Sequence, residues 1–509
     1  MTPSPLSAYL SNTHPSQISE EMVSYIAGLS AVGTLSPNIS ASIVKELHDQ
    51  RTHLKLIASE NYCSLPVQFA MGNLLTDKYS EGFPNYRFYA GCDNIDDIER
   101  FAAAKACEIF GADHAYVQPH SGADANLIAC WAVLNARITA PELEKLGITD
   151  PSKAPRDQWE KIRQAGNRQK LLGMDYYSGG HLTHGYRQNV SAQMFDSYTY
   201  AVDPDTGRID YDALKEKVDR IRPLILLAGY SAYPRKIDFK VMREIADSVN
   251  AVLWVDMAHF AGLVAGRVFD GKYNPVTYAD IVTTTTHKTL RGPRGGMILC
   301  RAWLKDYVNK GCPLVIGGPL PHAMAAKAVA FVEASKDGFR RYAQRVVENA
   351  STLAQCCMDR GMKVATNGTD NHMLLIDVTP YGLTGRQGES VLRECGITLN
   401  RNSLPGDING PWYTSGLRIG TPAVTTLGMG TKEMEEIADI IDLVLKAARP
   451  GMIEGGVNVG KPSKANCTID PAVQQAALER SKALLKAYVL YPQLDLDFLM
   501  EQFLDRGAK

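Results

Sequence analysis

The chain has 509 residues and carries 54 Lys and Arg against 55 Asp and Glu, a formal charge of -1. Neither sign is in excess, so overall charge gives no footprint for nucleic acid or an anionic membrane. With 45% hydrophobic and 21% charged residues the usage is that of a folded globular protein, and the length suits two or three domains around a large core.

The N-terminus, MTPSPLSAYLSNTHPSQ, has neither the basic start and apolar block of a secretory signal nor the arginines of a transit peptide, so a cytoplasmic location is expected. The most apolar long stretch, Ala251 to Gly266, holds Asp256 and His259 in its middle, which argues against a membrane span. Ten cysteines without a Cys-x-x-Cys pair read as buried thiols in a reducing compartment, not as disulfides or a zinc site.

In chain order, residues 1–65 read as a helical arm. From 66 to 335 apolar runs alternate with amphipathic helices, which predicts a mostly parallel sheet covered on both faces. The strand candidates are Ala115–Gln118, Leu224–Ala228, Val252–Asp256, Ile281–Thr286 and Met297–Cys300; the helices between them include Asp97–Phe110, Tyr211–Asp219 and Lys240–Val249. Arg137–Lys170 is polar and breaks this rhythm, as a surface insertion would. After Leu320 come long helices, Ala323–Ala334 and Phe339–Arg360, then short strands near Leu374–Val378 and Leu417–Gly420 and a helix at Lys432–Ala447, which makes residues 336–450 a smaller α+β domain. From 451 to 509 a glycine-rich linker, Gly451–Lys464, precedes a last helix at Pro471–Lys486.

Asp256 and Lys288 stand 32 residues apart, each at the C-terminal end of a predicted strand, the edge where open α/β sheets bind ligands. A lysine there is partly desolvated, which lowers its pKa and makes its amine a nucleophile toward carbonyls; a surface lysine opening a loop is the alternative. Company changes the odds. An aldehyde cofactor such as pyridoxal phosphate needs a Schiff-base lysine, an acid against the ring nitrogen and a phosphate cradle. Asp256 suits the second need, with a helix cap or a structural ion pair as the bland alternative. In VQPHSGADAN a strand ends near Gln118 and a helix begins near Asp124, so Ser121, Gly122 and Ala123 offer a hydroxyl and free N–H groups at a helix start; a plain capped turn is the alternative. In GGHLTHG, His181 can lie flat over an aromatic ring. Metal binding by His181 and His184 is disfavoured, because no cysteine or carboxylate stands near them in sequence.

LIASENYCS (56–64), LTDKYSEGFPNYRFYAGC (75–92), VQPHSGADAN (117–126), GGHLTHG (179–185), WVDMAHFAGL (254–263), VTTTTHKTLRGPRGG (282–296), GTDNHMLLIDV (368–378) and TSGLRIGTPA (414–423) together closely resemble the serine hydroxymethyltransferase family. That resemblance implies the fold type I architecture of pyridoxal phosphate enzymes, a seven-stranded-type sheet with a smaller C-terminal domain, and a homodimer or larger assembly whose active sites are shared between subunits. It implies interconversion of L-serine and tetrahydrofolate with glycine and 5,10-methylenetetrahydrofolate, with side activity as an aldolase or racemase.

By the same resemblance, Lys288 carries the cofactor covalently, Asp256 pairs with its ring nitrogen, and His181 stacks on the ring. Ser121, Gly122 and Ala123 hold the phosphate, joined by Gly317 and Gly318 from the partner subunit; Ser231 and His259 lie near the phenolic oxygen. Thr285 and His287 flank the lysine and tune amino-acid specificity. Arg418 takes the substrate carboxylate, a task its planar fork suits. Glu81 is the acid/base for the hydroxymethyl group. Tyr79 and Tyr89 come from the neighbouring subunit, Ser59 touches the amino acid, and Tyr176, Gly180, Leu182 and Asn402 contact the pterin. The chain departs from the family pattern at Phe88, Tyr176, Ser178, Leu314-Val315-Ile316 and the 137–170 insertion, all on the folate side. An amino-acid-only aldolase or racemase and a silent binding protein are the competing readings; Glu81, Asn402 and GGHLTHG favour the transferase over the first, and Lys288, Asp256, His181 and Arg418 together argue against the second.

Overall fold

Seven short strands form the central sheet of the computed structural model, which describes residues 4–456 and 458–504. They are β1 (His114–Tyr116), β2 (Lys170–Met174), β3 (Asp196–Tyr200), β4 (Ile225–Gly229), β5 (Val252–Asp256), β6 (Ile281–Thr285) and β7 (Gly296–Cys300). The order across the sheet is β1-β7-β6-β5-β4-β2-β3, and β7 runs antiparallel to both its neighbours while the other pairs are parallel. Alternate residues of the inner strands enter two different cores: Leu226, Leu253, Val255 and Val282 face one side, and Ile225, Leu227, Trp254 and Ile281 the other. Burial on both faces is why these strands read as unbroken apolar runs.

The parallel strands all end at one edge. Met174, Gly229, Asp256 and Thr285 close their strands there, and the antiparallel β7 begins there at Gly296. The segments that follow these ends therefore converge on one crevice, the usual ligand edge of such sheets.

A second sheet of four antiparallel strands, β8 (Lys363–Val364), β9 (Met373–Asp377), β10 (Asn400–Asn402) and β11 (Gly416–Gly420), has the order β8-β9-β11-β10. Helices 337–359, 385–394 and 431–447 cover it around a separate core of Leu374, Ile376, Leu417, Ile419, Ile437 and Ile441. Leu54–Lys55 pairs in parallel with Ile397–Thr398, which ties the N-terminal segment to this part of the fold.

Helices 20–35, 37–52 and 496–503 pack into one cluster with Met22, Ile26, Val44 and Leu499 at its centre. Arg51 fastens it by donating to the carbonyls of Leu490, Tyr491 and Leu494 at 2.8, 2.6 and 2.8 Å. The two chain ends, which the sequence presents as an arm and an extension, thus share one core; residues 1–3 and 505–509 at their outer ends lie outside the described residues.

Three expectations need correction. β2 and β3 are absent from the expected strands: β2 follows a polar stretch without a break, and the edge strand β3, Asp-Ser-Tyr-Thr-Tyr, is half exposed, so neither has a long apolar run. Residues 137–167 are largely helical, since helix 122–134 continues through 135–139 and 140–145 and a further helix spans 156–167, with Leu143 and Ile162 buried. Gly451–Lys464 is not a plain linker, since its two ends belong to strands Arg449–Met452 and Pro462–Thr468 that pair antiparallel, and their alternation of exposed and covered residues is too shallow to read in sequence. No helix among the described residues is long and apolar enough to cross a membrane.

Candidate active site

Asp256 is the last residue of β5, and Lys288 lies three residues beyond the end of β6. The buried Asp256 carboxylate accepts hydrogen bonds from Asn126 Nδ2 at 2.8 Å, His184 Nε2 at 3.1 Å and the Ala258 N–H at 3.0 Å. Burial pushes this carboxyl up, yet the hydrogen bonds and charge of His184, with His181 and Asn126, outweigh it and hold Asp256 well below the ordinary carboxylate range. Asp256 is thus a fixed anion at neutral pH.

His181 is held by the same network. Its Nδ1 accepts from the Thr183 N–H at 3.3 Å and lies 2.7 Å from the Thr183 hydroxyl, which itself accepts from Asn126 Nδ2 at 2.7 Å. Burial pushes the His181 imidazole down to about 4, so a neutral ring of fixed orientation is presented. The fold does bring a carboxylate to the two histidines: donor atoms of His181, His184 and Asp256 lie within 4.8 Å of one another, although Asp256 is remote in sequence. A hydrogen-bond chain accounts for that grouping, because His184 Nδ1 accepts the His181 N–H at 3.2 Å and its Nε2 faces Asp256.

Burial pushes the Lys288 ammonium down, Asp256 pulls it up, and Arg418 and Arg294 push it down again, which leaves it at about 8. Its amine is therefore far more available near neutral pH than that of an ordinary lysine. Arg418 stands in β11 opposite Leu375 of β9 and Asn400 of β10; its Nε donates to Asn400 Oδ1 at 3.1 Å and its Nη1 to the Ser231 carbonyl at 2.6 Å. Ser231 thus supports the guanidinium through its backbone. His259 is buried, and Lys288, Arg418 and His181 all act on its charge. The Thr285 hydroxyl donates to the Ala258 carbonyl at 3.2 Å. His287 is pushed down to about 3 by burial, Arg294 and Lys288, and its buried Nδ1 has no partner among the described residues.

The helix begins two residues earlier than the sequence indicates: Ser121 is the N-cap, its hydroxyl accepts the Asp124 N–H at 3.1 Å, and the helix starts at Gly122. The first-turn N–H groups of Gly122 and Ala123 then have no helical acceptor. Gly122 has no alternative, since a Cβ there would come within 2.6 Å of Thr285 Cγ2. Behind the turn, buried Lys327 donates to the carbonyls of Val117, Pro119 and Gly296 at 2.6, 2.9 and 2.9 Å. Burial favours a neutral amine, but three carbonyls that each take a hydrogen favour the ammonium, and Lys327 clamps the turn to β7.

A second group of expected residues sits elsewhere. Tyr79, Glu81 and Tyr89 flank a small hairpin, Gly82–Phe83 with Tyr86–Arg87, and the Tyr79 and Tyr89 rings meet edge to face at 4.8 Å. Gly317 and Gly318 of the same chain adjoin them: an added Cβ would lie 3.9 Å from Glu81 Oε1 or 3.7 Å from Glu81 Cγ. The Gly318 carbonyl is 3.0 Å from a ring nitrogen of His120, beside the anion turn. Among the described residues no hydrogen bond or ion pair joins the Glu81 side chain to Lys288, Asp256 or Arg418. The tyrosines here are exposed, Tyr79 by 57% and Tyr89 by 47%, as is Phe88 by 68%.

On the remaining side, Tyr176 packs edge-on against Tyr177 at 5.6 Å and acts on Arg418, and Leu182 is exposed. A Cβ on Gly180 would fall 2.0 Å from the Met174 carbonyl, so this position must be glycine. Asn402 donates to the Ser403 carbonyl at 2.6 Å in β10, and half-buried Ser59 follows Ala58, which packs on Gly420. The Ser178 hydroxyl donates to Asp175 and accepts the Val202 N–H at 3.1 Å, fixing the turn that carries Gly179 and Gly180. A cavity of about 390 Å³ between residues 204–207, 363–367 and 404–408 includes none of Lys288, Asp256, His181 or Arg418, and we assign it no part in the chemistry.

Sequence reasoning misses Asn126, Thr183, Asn400, Lys327 and Arg87. Arg87 donates to Asp96 at 2.8 Å, to Glu99 at 2.5 Å and to the carbonyls of Ser80 and Gly82, each at 2.9 Å. Asn126 carries a readable signal, since it lies one helical turn from the capped Gly122 and so on the face of the anion turn.

The family model described as Serine hydroxymethyltransferase matches residues 32–147 and 152–441. A serine hydroxymethyltransferase of Treponema pallidum is 58% identical over 508 residues, covering 100% of this chain and 88% of that protein. One from Salinispora tropica is 52% identical over 94% of this chain and 99% of its own, and one from Chlamydia muridarum 49% identical over 97% and 99%. With a mostly parallel seven-stranded sheet whose C-terminal edge gathers a lysine, an aspartate, a flat histidine and an anion turn, the chain belongs to the serine hydroxymethyltransferase family of pyridoxal phosphate enzymes.

Proposed function

We propose that this chain interconverts L-serine and tetrahydrofolate with glycine, 5,10-methylenetetrahydrofolate and water in the cytoplasm, as a homodimer or larger homo-oligomer with pyridoxal phosphate on Lys288. The observation that carries this is the joint placement of Lys288, with its lowered amine, and the permanently ionised Asp256 at one sheet edge. The residues fit the cofactor: Gly122 leaves backbone N–H groups open at a helix start, and the Asp256 anion is held in place to face a ring nitrogen. When bound, pyridoxal phosphate supplies an electron sink for the negative charge that develops at the substrate Cα.

The chain's own groups do the rest. Asp256 keeps a proton on the ring nitrogen. His181, pinned through Thr183, covers one face of the ring and excludes water from it. Two of the five N–H donors of Arg418 are spent on Asn400 and Ser231, which leaves three for the substrate carboxylate. Lys288 accepts or returns the proton of the substrate amine, a role suited to a pKa near neutrality. Glu81 moves a proton at the hydroxymethyl oxygen, Ser59 and Tyr89 contact the amino acid, and Tyr176, Gly180, Leu182 and Asn402 line the pterin side. Ser121 to Ala123, with Tyr79, Gly317 and Gly318 from the partner subunit, hold the phosphate. Residues 66–335 form the cofactor domain and 336–450 the smaller one.

Purified holoenzyme titrated with glycine and then tetrahydrofolate tests this. A cofactor absorbance that shifts to the red only when both are present is expected. A response to glycine that ignores tetrahydrofolate would instead assign an amino-acid-only aldolase or racemase.

A further inference from the structure

His372 has no part in the chemistry above, yet it is fully buried against His259 at the floor of the Lys288 pocket. The two imidazoles are stacked, with ring centres 5.4 Å apart and planes 25° from parallel, and His259 Nδ1 lies 3.2 Å from His372 Nε2. Both backbones are fastened: the His259 carbonyl accepts the Thr289 hydroxyl at 2.8 Å, and the His372 carbonyl accepts the Thr421 N–H at 3.1 Å. Next to His372, Asn371 donates to the Tyr230 hydroxyl and the Tyr233 carbonyl at 3.1 and 3.0 Å. These bonds fix the backbones that carry the two rings, and burial packs the rings themselves.

One proton occupies the space between the two facing nitrogens, and the far side of His372 decides which ring owns it. His372 Nδ1 is buried and has no partner among the described residues. If His259 supplied the shared proton, His372 would carry its own on Nδ1, a buried N–H with no acceptor. If His372 supplies it from Nε2, only a lone pair is left unpaired at Nδ1. Stranded buried N–H groups are the rarer of the two defects in folded proteins. Burial and the neighbouring Lys288 and Arg418 push both imidazoles down, His372 to about 3, so neither ring is a cation at neutral pH.

We propose that His372 is a positioning residue that donates from Nε2 to His259 Nδ1 and thereby fixes the His259 proton on Nε2. The Nε2 of His259 makes no hydrogen bond within the described residues but, unlike His372 Nδ1, is not sealed from the pocket, so a proton there is not stranded. His259 therefore offers the pocket a hydrogen-bond donor of fixed direction, suited to an oxygen acceptor of the bound cofactor or substrate. Only this consequence rests on the hydroxymethyltransferase reading; the tautomer is a property of the chain itself.

Protein labelled with ¹⁵N-histidine and stripped of cofactor tests it at about pH 7, where neutral imidazoles dominate, with the His259 signals identified by their loss in His259→Gln. Long-range ¹⁵N–¹H correlations in the wild type should show the Nε2–H form alone. His372→Phe should release the restriction and give both tautomers, and His372→Gln, whose amide can still donate, should restore the single form. In the holoenzyme, kcat should fall about tenfold in His372→Phe with the KM for serine little changed, and recover in His372→Gln, the worth of one neutral hydrogen bond. A wild-type His259 protonated on Nδ1, or an unchanged pattern in His372→Phe, overturns the proposal. If His372→Phe does not fold, the wild-type and His372→Gln spectra still decide. A chain that ignores tetrahydrofolate but shows the expected tautomer loses the transferase reading and keeps this one.

Discussion

Two parts of the molecule carry the expected chemistry, and they differ in how complete they are. In the crevice at the strand ends, Asp256, His181 and Arg418 are each met by partners of the same chain, and the amine of Lys288 is tuned by Asp256, Arg418 and Arg294. The 79–89 hairpin is fastened on one side only. Arg87 makes two hydrogen bonds back into the body, to Asp96 and Glu99, and two to the Ser80 and Gly82 carbonyls of its own hairpin, while Tyr79, Phe88 and Tyr89 are exposed. An exposed aromatic set on a rigidly anchored base is the pattern of a surface built to complete another molecule's site. The difference teaches that the cofactor floor is built within one chain, whereas the exposed rim is where the proposed sharing of sites between subunits can be put to the test.

The sharpest way to break this contrast is complementation. Lys288→Ala should abolish activity, and Glu81→Gln should lower kcat about 10²- to 10⁴-fold, as removal of a positioned acid/base does. Mixing the two inactive proteins and allowing subunits to exchange should recover roughly a quarter of wild-type activity, because half the dimers are mixed and each holds one intact site. No recovery would place Glu81 and Lys288 in the same chain's site and remove the distinction. Next in size, Arg87→Met should destabilise the fold by about 3–5 kcal/mol in denaturant unfolding, since buried Asp96 and Glu99 lose the cation between them. A loss below about 1 kcal/mol would mean that the hairpin is not anchored through this pair.

The smallest effect concerns the floor itself. In cofactor-free protein the Lys288 amine should react with a simple aldehyde under reducing conditions at a rate that is flat above about pH 8 and falls tenfold per unit below it. In the unfolded chain a lysine keeps its proton up to its ordinary value of 10.5, so between about 8 and 10.5 the unfolded state binds more protons and this group's contribution to stability rises with pH. Asp256→Asn removes the charge that raises Lys288 and should move the inflection to lower pH. An inflection that stays put would mean that Asp256 and Lys288 do not interact.

Much of the floor was legible before any coordinates. The runs ending in Asp256 and Thr285 mark strand ends because both faces of their strands are buried, and Ser121-Gly122-Ala123 announces a capped helix start. β2 and β3 were not legible, because Lys170–Met174 follows polar residues directly and β3 is an edge strand with a wet face. The partners of the chemical groups were also hidden. Asn126 and Asp256 are 130 residues apart, Asn126 and Thr183 are 57, and His259 and His372 are 113. No local spacing records such pairs.

The sequence by itself determined which residue types exist and which short segments they sit in, because hydrophobic period, caps and turns are local properties of a chain. It was enough for the family and the sheet edge, and to single out Lys288, Asp256, His181 and Arg418 as candidates. Only the tertiary structure decided what surrounds them: the carboxylate that joins His181 and His184, the three carbonyls that hold Lys327, the outward hairpin and the buried nitrogen of His372. Those depend on burial and on contacts between distant segments, and a pKa or a tautomer has no value until the low-dielectric surroundings that set it have been assembled.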